Sequence, residues 1–457
     1  MKTQDALRRL YLLATAAILV AVETAMAVYV MSEYYNPQFR TQLYFRGHVL
    51  MAGIYAVMLI FVGRVFGGLL VGVRKSGEVI FSQFFTLLFV NTSFYVLMML
   101  QSLKFPDPRP LILMLVIQMT AAALWIFFMG NRYRVLFRPY DVLLIYQGDS
   151  IRDFREKLDT RTDHFHVEEA ISAEEAPERI REKIDRNNTV ILWDIPTEKR
   201  NRIFKYCYEN SKRIYVMPKI SDIILNGAAP VHLFDTPLLL TEGNPLEYEE
   251  RVIKRLWDIL FSLFLIIILS PLMLLTAILI KCSDGGPVLY RQIRCTKNAR
   301  QFKILKFRSM IVDAERQGGA QLAKEKDPRI TPVGHVIRKT RIDELPQLFN
   351  VLKGDMSFVG PRPERPEFIE EYMRDMPEFS YRMKIRAGIT GYAQLYGKYN
   401  TKPYDKLKFD LYYMEQYSLW LDVKLMILTL KIIFTKESTE GVKEDVTASG
   451  IDHRTGT

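Results

Sequence analysis

The sequence predicts three parts in series. Residues 1–135 read as an α-helical four-span membrane bundle, 139–245 as a Rossmann-like α/β cytoplasmic domain, and 251–435 as a mainly α (α+β) domain with a re-entrant membrane helix at 256–280. Three observations carry this. Four apolar stretches, each near the ~20 residues that cross a bilayer, open the chain. Apolar β-type runs then alternate with polar helix-like stretches. A fifth apolar stretch has a proline at its centre and basic residues on both flanks.

The chain has 457 residues, 49% hydrophobic and 25% charged, which excludes disordered, collagenous and coiled-coil chains. Three cysteines, Cys207, Cys282 and Cys295, cannot build a disulfide framework, and none stands at metal-ligand spacing from another. Net charge is +11, and residues 281–457 supply eight of it with 31 Lys/Arg against 23 Asp/Glu. Such an excess attracts phosphate-bearing partners, or it is the cytoplasmic bias of a membrane protein.

The apolar stretches run over 10–31, 48–70, 79–100 and 111–129. Arg64 weakens the second, which either ends at Gly63 or lets the arginine snorkel. Arg8, Arg9, Arg74, Lys75, Arg132, Arg134 and Arg138 outnumber the cations of the other two loops, so both ends of the bundle are expected in the cytoplasm. Glu23, Gln83 and Asn91 lie inside spans and read as bundle-packing hydrogen bonders.

In the middle domain, 141–146, 189–193, 213–217 and 231–240 read as strands, with helices over 174–186 and 196–210. The turn Gln147-Gly148-Asp149-Ser150-Ile151 has one glycine, so no dinucleotide cradle is expected. His164 and His166 read as a solvated pair.

In 256–280, proline removes a helix hydrogen bond at Ser270-Pro271. Lys254 and Arg255 precede the stretch, and Lys281, Arg291 and Arg294 follow it. A helix that enters one leaflet, breaks at Ser270-Pro271 and returns keeps both basic flanks on one side. Lys254, Arg255 and Asp258 read as its interface anchor, with Asp258 one turn away from its cations.

The chemistry concentrates between Gly286 and Gln394. Lys306-Phe307-Arg308-Ser309-Met310 is followed by Arg338-Lys339-Thr340-Arg341-Ile342-Asp343-Glu344-Leu345-Pro346-Gln347-Leu348. Gly354-Asp355-Met356-Ser357 and Gly360-Pro361-Arg362-Pro363-Glu364 complete the set. The acid pair Asp343-Glu344 amid cations either ligates Mg²⁺ or attacks phosphorus. Lys306, Arg308, Arg338 and Arg362 are candidate phosphate contacts, Arg362 with its backbone fixed by proline on either side.

These motifs, with Lys254-Arg255-x-x-Asp258, make residues 251–435 closely resemble the bacterial sugar transferase family, the polyprenyl-phosphate hexose-1-phosphate or monotopic phosphoglycosyl transferases. The bundle and α/β domain ahead of it look like the large form of that family, used in capsule and exopolysaccharide assembly. The resemblance implies transfer of sugar-1-phosphate from a UDP-sugar to undecaprenyl phosphate, releasing UMP. It implies Asp343 as the nucleophile of a covalent phospho-sugar intermediate, Glu344 as the second member of the dyad, and Mg²⁺ held at Asp343. It also implies a multi-pass protein of the bacterial inner membrane with its catalytic domain cytoplasmic. Membrane lipids are further partners, a second copy of the chain and later glycosyltransferases of the pathway are candidate ones, and nucleic acid is not expected. Three positions, in two motifs, depart from the family pattern. Thr296 and Ala299 stand where glycines are frequent, and Ala387 replaces the proline of a Pro-Gly-x-Thr-Gly signature. The competing readings are a catalytically inactive scaffold that recruits later glycosyltransferases, and a glycosyltransferase that releases UDP. Residues 436–457 read as a polar tail.

Overall fold

A computed structural model describes residues 2–148, 151–312, 327–397 and 401–433. Asp149 and Ser150 of the one-glycine turn and the polar tail lie outside the described residues. The chain divides into two compact units, Met1–Pro218 and Lys219–Thr457.

The first unit opens with four helices long and apolar enough to cross a membrane: α1 (Lys2–Val30), α2 (Phe45–Phe66), α3 (Ser76–Ser102) and α4 (Arg109–Leu136). α2 stops one turn past Gly63, because Gly67 adopts φ +81° and the N–H groups of Gly67 and Gly68 both return to the Gly63 carbonyl at 2.9 Å. Arg64 therefore sits in its last turn. Gln83 Nε2 donates to both Glu23 carboxylate oxygens at 2.7 and 2.9 Å. Tyr55 donates to Asn91 Oδ1 at 2.7 Å, Asn91 to Gln118 Oε1 at 2.8 Å, and Gln118 back to Tyr55 at 3.0 Å. All four helices contribute to this polar core. An unpaired amide here would cost several kcal/mol in hydrocarbon, so the ring fixes the register of the helices.

A parallel sheet follows: β1 (Tyr140–Tyr146), α5 (Ile151–Asp159), β2 (Phe165–Ser172), α6 (Pro177–Arg186), β3 (Thr189–Trp193), α7 (Thr197–Glu209) and β4 (Arg213–Val216). Its order is β2-β1-β3-β4, with every neighbour parallel. β2, which is not among the expected apolar strand runs, is an edge strand whose half-exposed pattern includes Glu168 and Glu169. His166 lies 3.0 Å from Asp141 and His164 3.5 Å from Asp163, each beside a carboxylate of its own.

The run 231–240 is not a strand of this sheet. It turns at Phe234, φ +55°, into a separate antiparallel hairpin, β5 (Ala229–Leu233) against β6 (Thr236–Leu240). Pro230 and Pro237 have no N–H to give a longer ladder. α8 (Ile220–Asn226) places Ile223 in one core with Leu246, Leu407 and Leu411, so residues 219–245 belong to the second unit and the expected boundary at 245 falls at 218.

The second unit contains α9 (Tyr248–Asp284), the hairpin β7 (Leu289–Cys295) and β8 (Gln301–Phe307), α10 (Pro332–Lys339), α11 (Gln347–Lys353), β9 (Ser357–Val359), α12 (Pro366–Asp375), β10 (Gly388–Thr390), α13 (Tyr392–Tyr396), α14 (Pro403–Glu415) and α15 (Leu419–Ile433). α9 corrects two expectations. First, helix runs unbroken through Ser270-Pro271. The carbonyl that Pro271 leaves without its usual donor is that of Ile267, and Ser270 Oγ donates to it at 2.8 Å. Ser270→Ala should therefore lower the thermal midpoint. Ser270→Ala with Pro271→Ala should recover it, because the second substitution restores a backbone N–H at that position. Equal midpoints for wild type and the single variant would show that the bond contributes nothing.

Second, Asp258 does not pair with Lys254 or Arg255 on the helix. Lys254 Nζ lies 2.5 Å from Asp422 of α15 and donates to Tyr413 at 3.0 Å. Arg255 donates to the Val351 and Leu352 carbonyls at 2.6 and 2.8 Å. Asp258 accepts from Ser357 Oγ and the Phe358 N–H at 3.1 and 2.9 Å. Lys254 and Asp258 are buried, so they dock α9 on the domain rather than anchor it at a solvent boundary. Burial of two charges is tolerable only with such partners.

Candidate active site

β8 ends on Lys306 and Phe307, and α11 is tied to that strand by Asn350, which accepts from the Leu305 N–H and donates to the Lys303 carbonyl, both at 2.9 Å. This bond pair fixes the distance between Lys306 and the turn ahead of α11. That turn is a 3₁₀ turn, Ile342–Glu344. Arg341 enters it at φ +57°, a left-handed conformation that strains a residue with a side chain.

Glu344 is held by three cations: Lys306 Nζ at 2.9 Å, Arg362 Nη2 at 3.5 Å and Arg341 Nη1 at 3.6 Å. Burial alone would raise its pKa, but Lys306, Arg362 and Arg341 together hold the carboxyl far below the usual carboxylate range. Asp343 behaves oppositely. Burial pushes its carboxyl up to about 6, Glu344 adds to the rise, and Lys306, Arg341 and Arg338 oppose it. Asp343 Oδ1 is buried with no hydrogen-bond partner among the described residues. An unpaired buried carboxylate oxygen is expensive to hold, and at a group near neutrality it marks a place for a ligand.

The structure thus brings Asp343, Glu344, Lys306, Arg338 and Arg362 together. It commits Arg308 elsewhere: Arg308 grips Asp284 at the end of α9 with both terminal nitrogens, Nη1 to Oδ2 at 2.7 Å, over the open face of Gly286. The sequence reading missed Arg341 as a partner of Glu344, and Gln394, whose Oε1 lies 3.4 Å from Arg362 Nη1. Arg341 stands three residues before Glu344, and that spacing was the available signal.

Among the described residues no three metal-type side chains converge. Mg²⁺ needs only one or two carboxylates when substrate phosphates complete its shell, and the orphaned Asp343 oxygen fits that demand. Four cations around two carboxylates leave the cleft net positive, suited to a diphosphate.

The two departures from the family pattern meet in the fold. Thr296 Oγ1 accepts from the Ala387 N–H at 3.1 Å and donates to the Asp355 carbonyl at 2.8 Å. Proline at 387 would have no N–H to give, and glycine at 296 no hydroxyl to receive it, so each departure supplies the other's partner. Ala299 adopts φ +57°, the conformation glycine tolerates without strain.

The bacterial sugar transferase family matches residues 249–436. A UDP-N-acetylgalactosamine-undecaprenyl-phosphate N-acetylgalactosaminephosphotransferase of Aeromonas hydrophila is 44% identical over 225 residues, 49% of this chain and 52% of that protein. A UDP-glucose:undecaprenyl-phosphate glucose-1-phosphate transferase of Escherichia coli (strain K12) is 38% identical over 211 residues, 45% of this chain and 44% of that protein. The chain spans about half the length of these two relatives. An uncharacterized sugar transferase of Haemophilus influenzae is 31% identical over 331 residues, 65% of this chain and 69% of that protein. With that coverage, and with the acid pair and its cations assembled in the matched segment, the chain belongs to the bacterial sugar transferase family.

Proposed function

We propose that this protein transfers sugar-1-phosphate from a UDP-sugar to undecaprenyl phosphate at the cytoplasmic face of a bacterial inner membrane, as the first membrane step of capsule, exopolysaccharide or O-antigen assembly. The observation that carries the reading is the unpartnered Asp343 oxygen beside a Glu344 locked by cations. Asp343 attacks the phosphorus bonded to the sugar-1-oxygen. The bond to the UMP phosphate oxygen breaks, and UMP leaves. The phosphate oxygen of undecaprenyl phosphate then attacks the same phosphorus and frees the Asp343 carboxylate. Glu344 orients Lys306 and Arg362, which together with Arg338 hold the diphosphate oxygens. Mg²⁺, held at Asp343 and the substrate phosphates, would neutralise diphosphate charge.

The acceptor demands a site at the lipid surface. α9 supports this. Only 11% of its most apolar stretch is covered by protein, which leaves the rest to lipid. Its first turns are bonded to residues 351–358 and to Asp422, and its last turns pack Ala277 and Ile280 against Phe307 and Ile337. Both flanks thus attach to one unit, as a helix that enters and leaves by the same leaflet requires. Native Cys282, exposed at the far flank, and a cysteine placed at exposed Glu249 should both resist an impermeant thiol reagent in intact cells and react after permeabilisation. Labelling of one alone from outside would mean a simple span.

Arg362→Lys keeps the charge but loses the fork, and should lower turnover on the order of tenfold or more. Kinetics near wild type would make Arg362 structural. The reading as a whole is tested by incubating the protein with UDP-sugars and undecaprenyl phosphate and identifying the nucleotide product. UMP is expected. UDP would mean a glycosyltransferase, and neither nucleotide a scaffold.

A further inference from the structure

The turn that presents Arg362 is held from behind by groups that reach neither Asp343 nor Glu344. Three successive carbonyls of Gly360-Pro361-Arg362-Pro363-Glu364 each receive an N–H from outside the turn. Arg382 Nη2 donates to the Arg362 carbonyl at 3.1 Å, Arg294 Nη1 to that of Pro363 at 3.2 Å, and the Cys295 N–H to that of Glu364 at 3.0 Å. Two of the three donors are side chains, and Arg382 is 3% exposed. Arg382 is in turn oriented by Asp410 of α14, Nη2 to Oδ2 at 2.8 Å, and its Nη1 lies 3.6 Å from the Glu364 carboxylate. The guanidinium also stands over the Phe379 ring, 4.8 Å from its centroid. Buried charge of this kind contributes little net stability against an apolar replacement, so stability alone is a poor reason for it.

We infer that Arg382, aimed by Asp410, is a positioning residue that sets the direction of Arg362 toward Glu344 and the substrate phosphates. The prolines at 361 and 363 fix φ within the turn. The remaining freedom is rotation of the Arg362 and Pro363 peptide planes, and the guanidiniums of Arg382 and Arg294 remove it. A tilt of those planes swings the Arg362 side chain by about an ångström at its tip, a displacement that can cost up to ~100-fold in rate. The kinetic consequence rests on the phosphotransfer reading of the preceding subsection, whereas the mechanical one does not.

The test is a double-mutant cycle on the full-length protein in lipid nanodiscs. Arg382→Lys should lower kcat for UMP release on the order of tenfold or more, with the thermal midpoint close to wild type. In an Arg362→Lys background the same change should add less than about twofold, since a residue acting through Arg362 has nothing left to position. Equal losses in both backgrounds would overturn the inference. Should Arg382→Lys fail to fold, Asp410→Asn, which keeps the size of the side chain, is carried through the same cycle with the same criterion. Hydrogen exchange provides a readout independent of the reaction: the Gly360 amide, bonded to the Thr390 carbonyl, and the Cys295 amide, bonded to that of Glu364, should exchange faster in either variant. Exchange unchanged from wild type would overturn the positioning role. A wild-type protein that releases no UMP yet shows protected amides that loosen in the variants would refute the phosphotransfer reading and leave the positioning role standing.

Discussion

Asp343→Asn is expected to abolish UMP release, by at least roughly a thousandfold, while leaving the fold intact. An amide cannot accept the phosphorus–oxygen bond that the first displacement forms. Glu344 cannot replace it, because Lys306, Arg341 and Arg362 hold that carboxylate in place. The variant should also be at least as stable as wild type at neutral pH. Burial raises the Asp343 carboxyl to about 6, so its ionised form is disfavoured in the folded protein. The sign follows: stability from this group is present below the unfolded value near 4 and is lost as pH rises through about 6. Thermal midpoints of wild type and Asn variant, measured without Mg²⁺, should therefore converge below about pH 4 and separate above about 6, with the variant higher. A variant that melts lower at every pH would mean that Asp343 holds the fold together rather than serving the reaction.

The second large effect falls far from the chemistry. Lys254→Met removes the cation facing Asp422, whose carboxylate is 2% exposed and also accepts from Tyr413 at 2.6 Å. Breaking one side of a buried ion pair costs about 3–5 kcal/mol, whereas replacing both partners with apolar groups is close to neutral. Lys254→Met should therefore lower the thermal midpoint strongly, and Lys254→Met with Asp422→Leu should restore most of it. Burial already raises the Asp422 carboxyl against the pull of Lys254, so acid should protonate it and shrink the defect of the single variant. A defect that is equal at all pH values, or a double variant as damaged as the single, would show that the pair is not what docks α9.

Much of the architecture was legible because its signals are local. Length and apolarity marked the five long helices, and strands β1, β3 and β4 appeared within one residue of their expected ends. The acid pair and its cations Lys306, Arg338 and Arg362 were legible because each lies in a short dense motif. What sequence could not reveal is pairing at a distance. Lys254 lies one turn from Asp258 along α9 yet bonds to Asp422, 168 residues away, because docking the helix buries its polar face. Arg308 shares a motif with Lys306 at a spacing that would keep both on one strand face, but β8 ends at Phe307, and past that end Arg308 turns to Asp284 while Lys306 reaches Glu344. The proline in α9 was read as a break, although the serine before it supplies the missing donor. The run 231–240 carried marks of its turn, Asp235 as a turn residue and Pro237 without an N–H, but its apolar residues outweighed them in the reading as one strand.

The most direct test of the central claim omits the lipid. Enzyme, Mg²⁺ and UDP-sugar, without undecaprenyl phosphate, should release at most about one UMP per site, since the first displacement can proceed and the second cannot. Mass spectrometry of the digested protein should then find sugar phosphate on the peptide that contains Asp343, and none in the Asp343→Asn variant. Steady-state release of UMP that requires undecaprenyl phosphate from the outset, sequential kinetics and no adduct on that peptide would contradict the account and leave Asp343 a metal ligand or base.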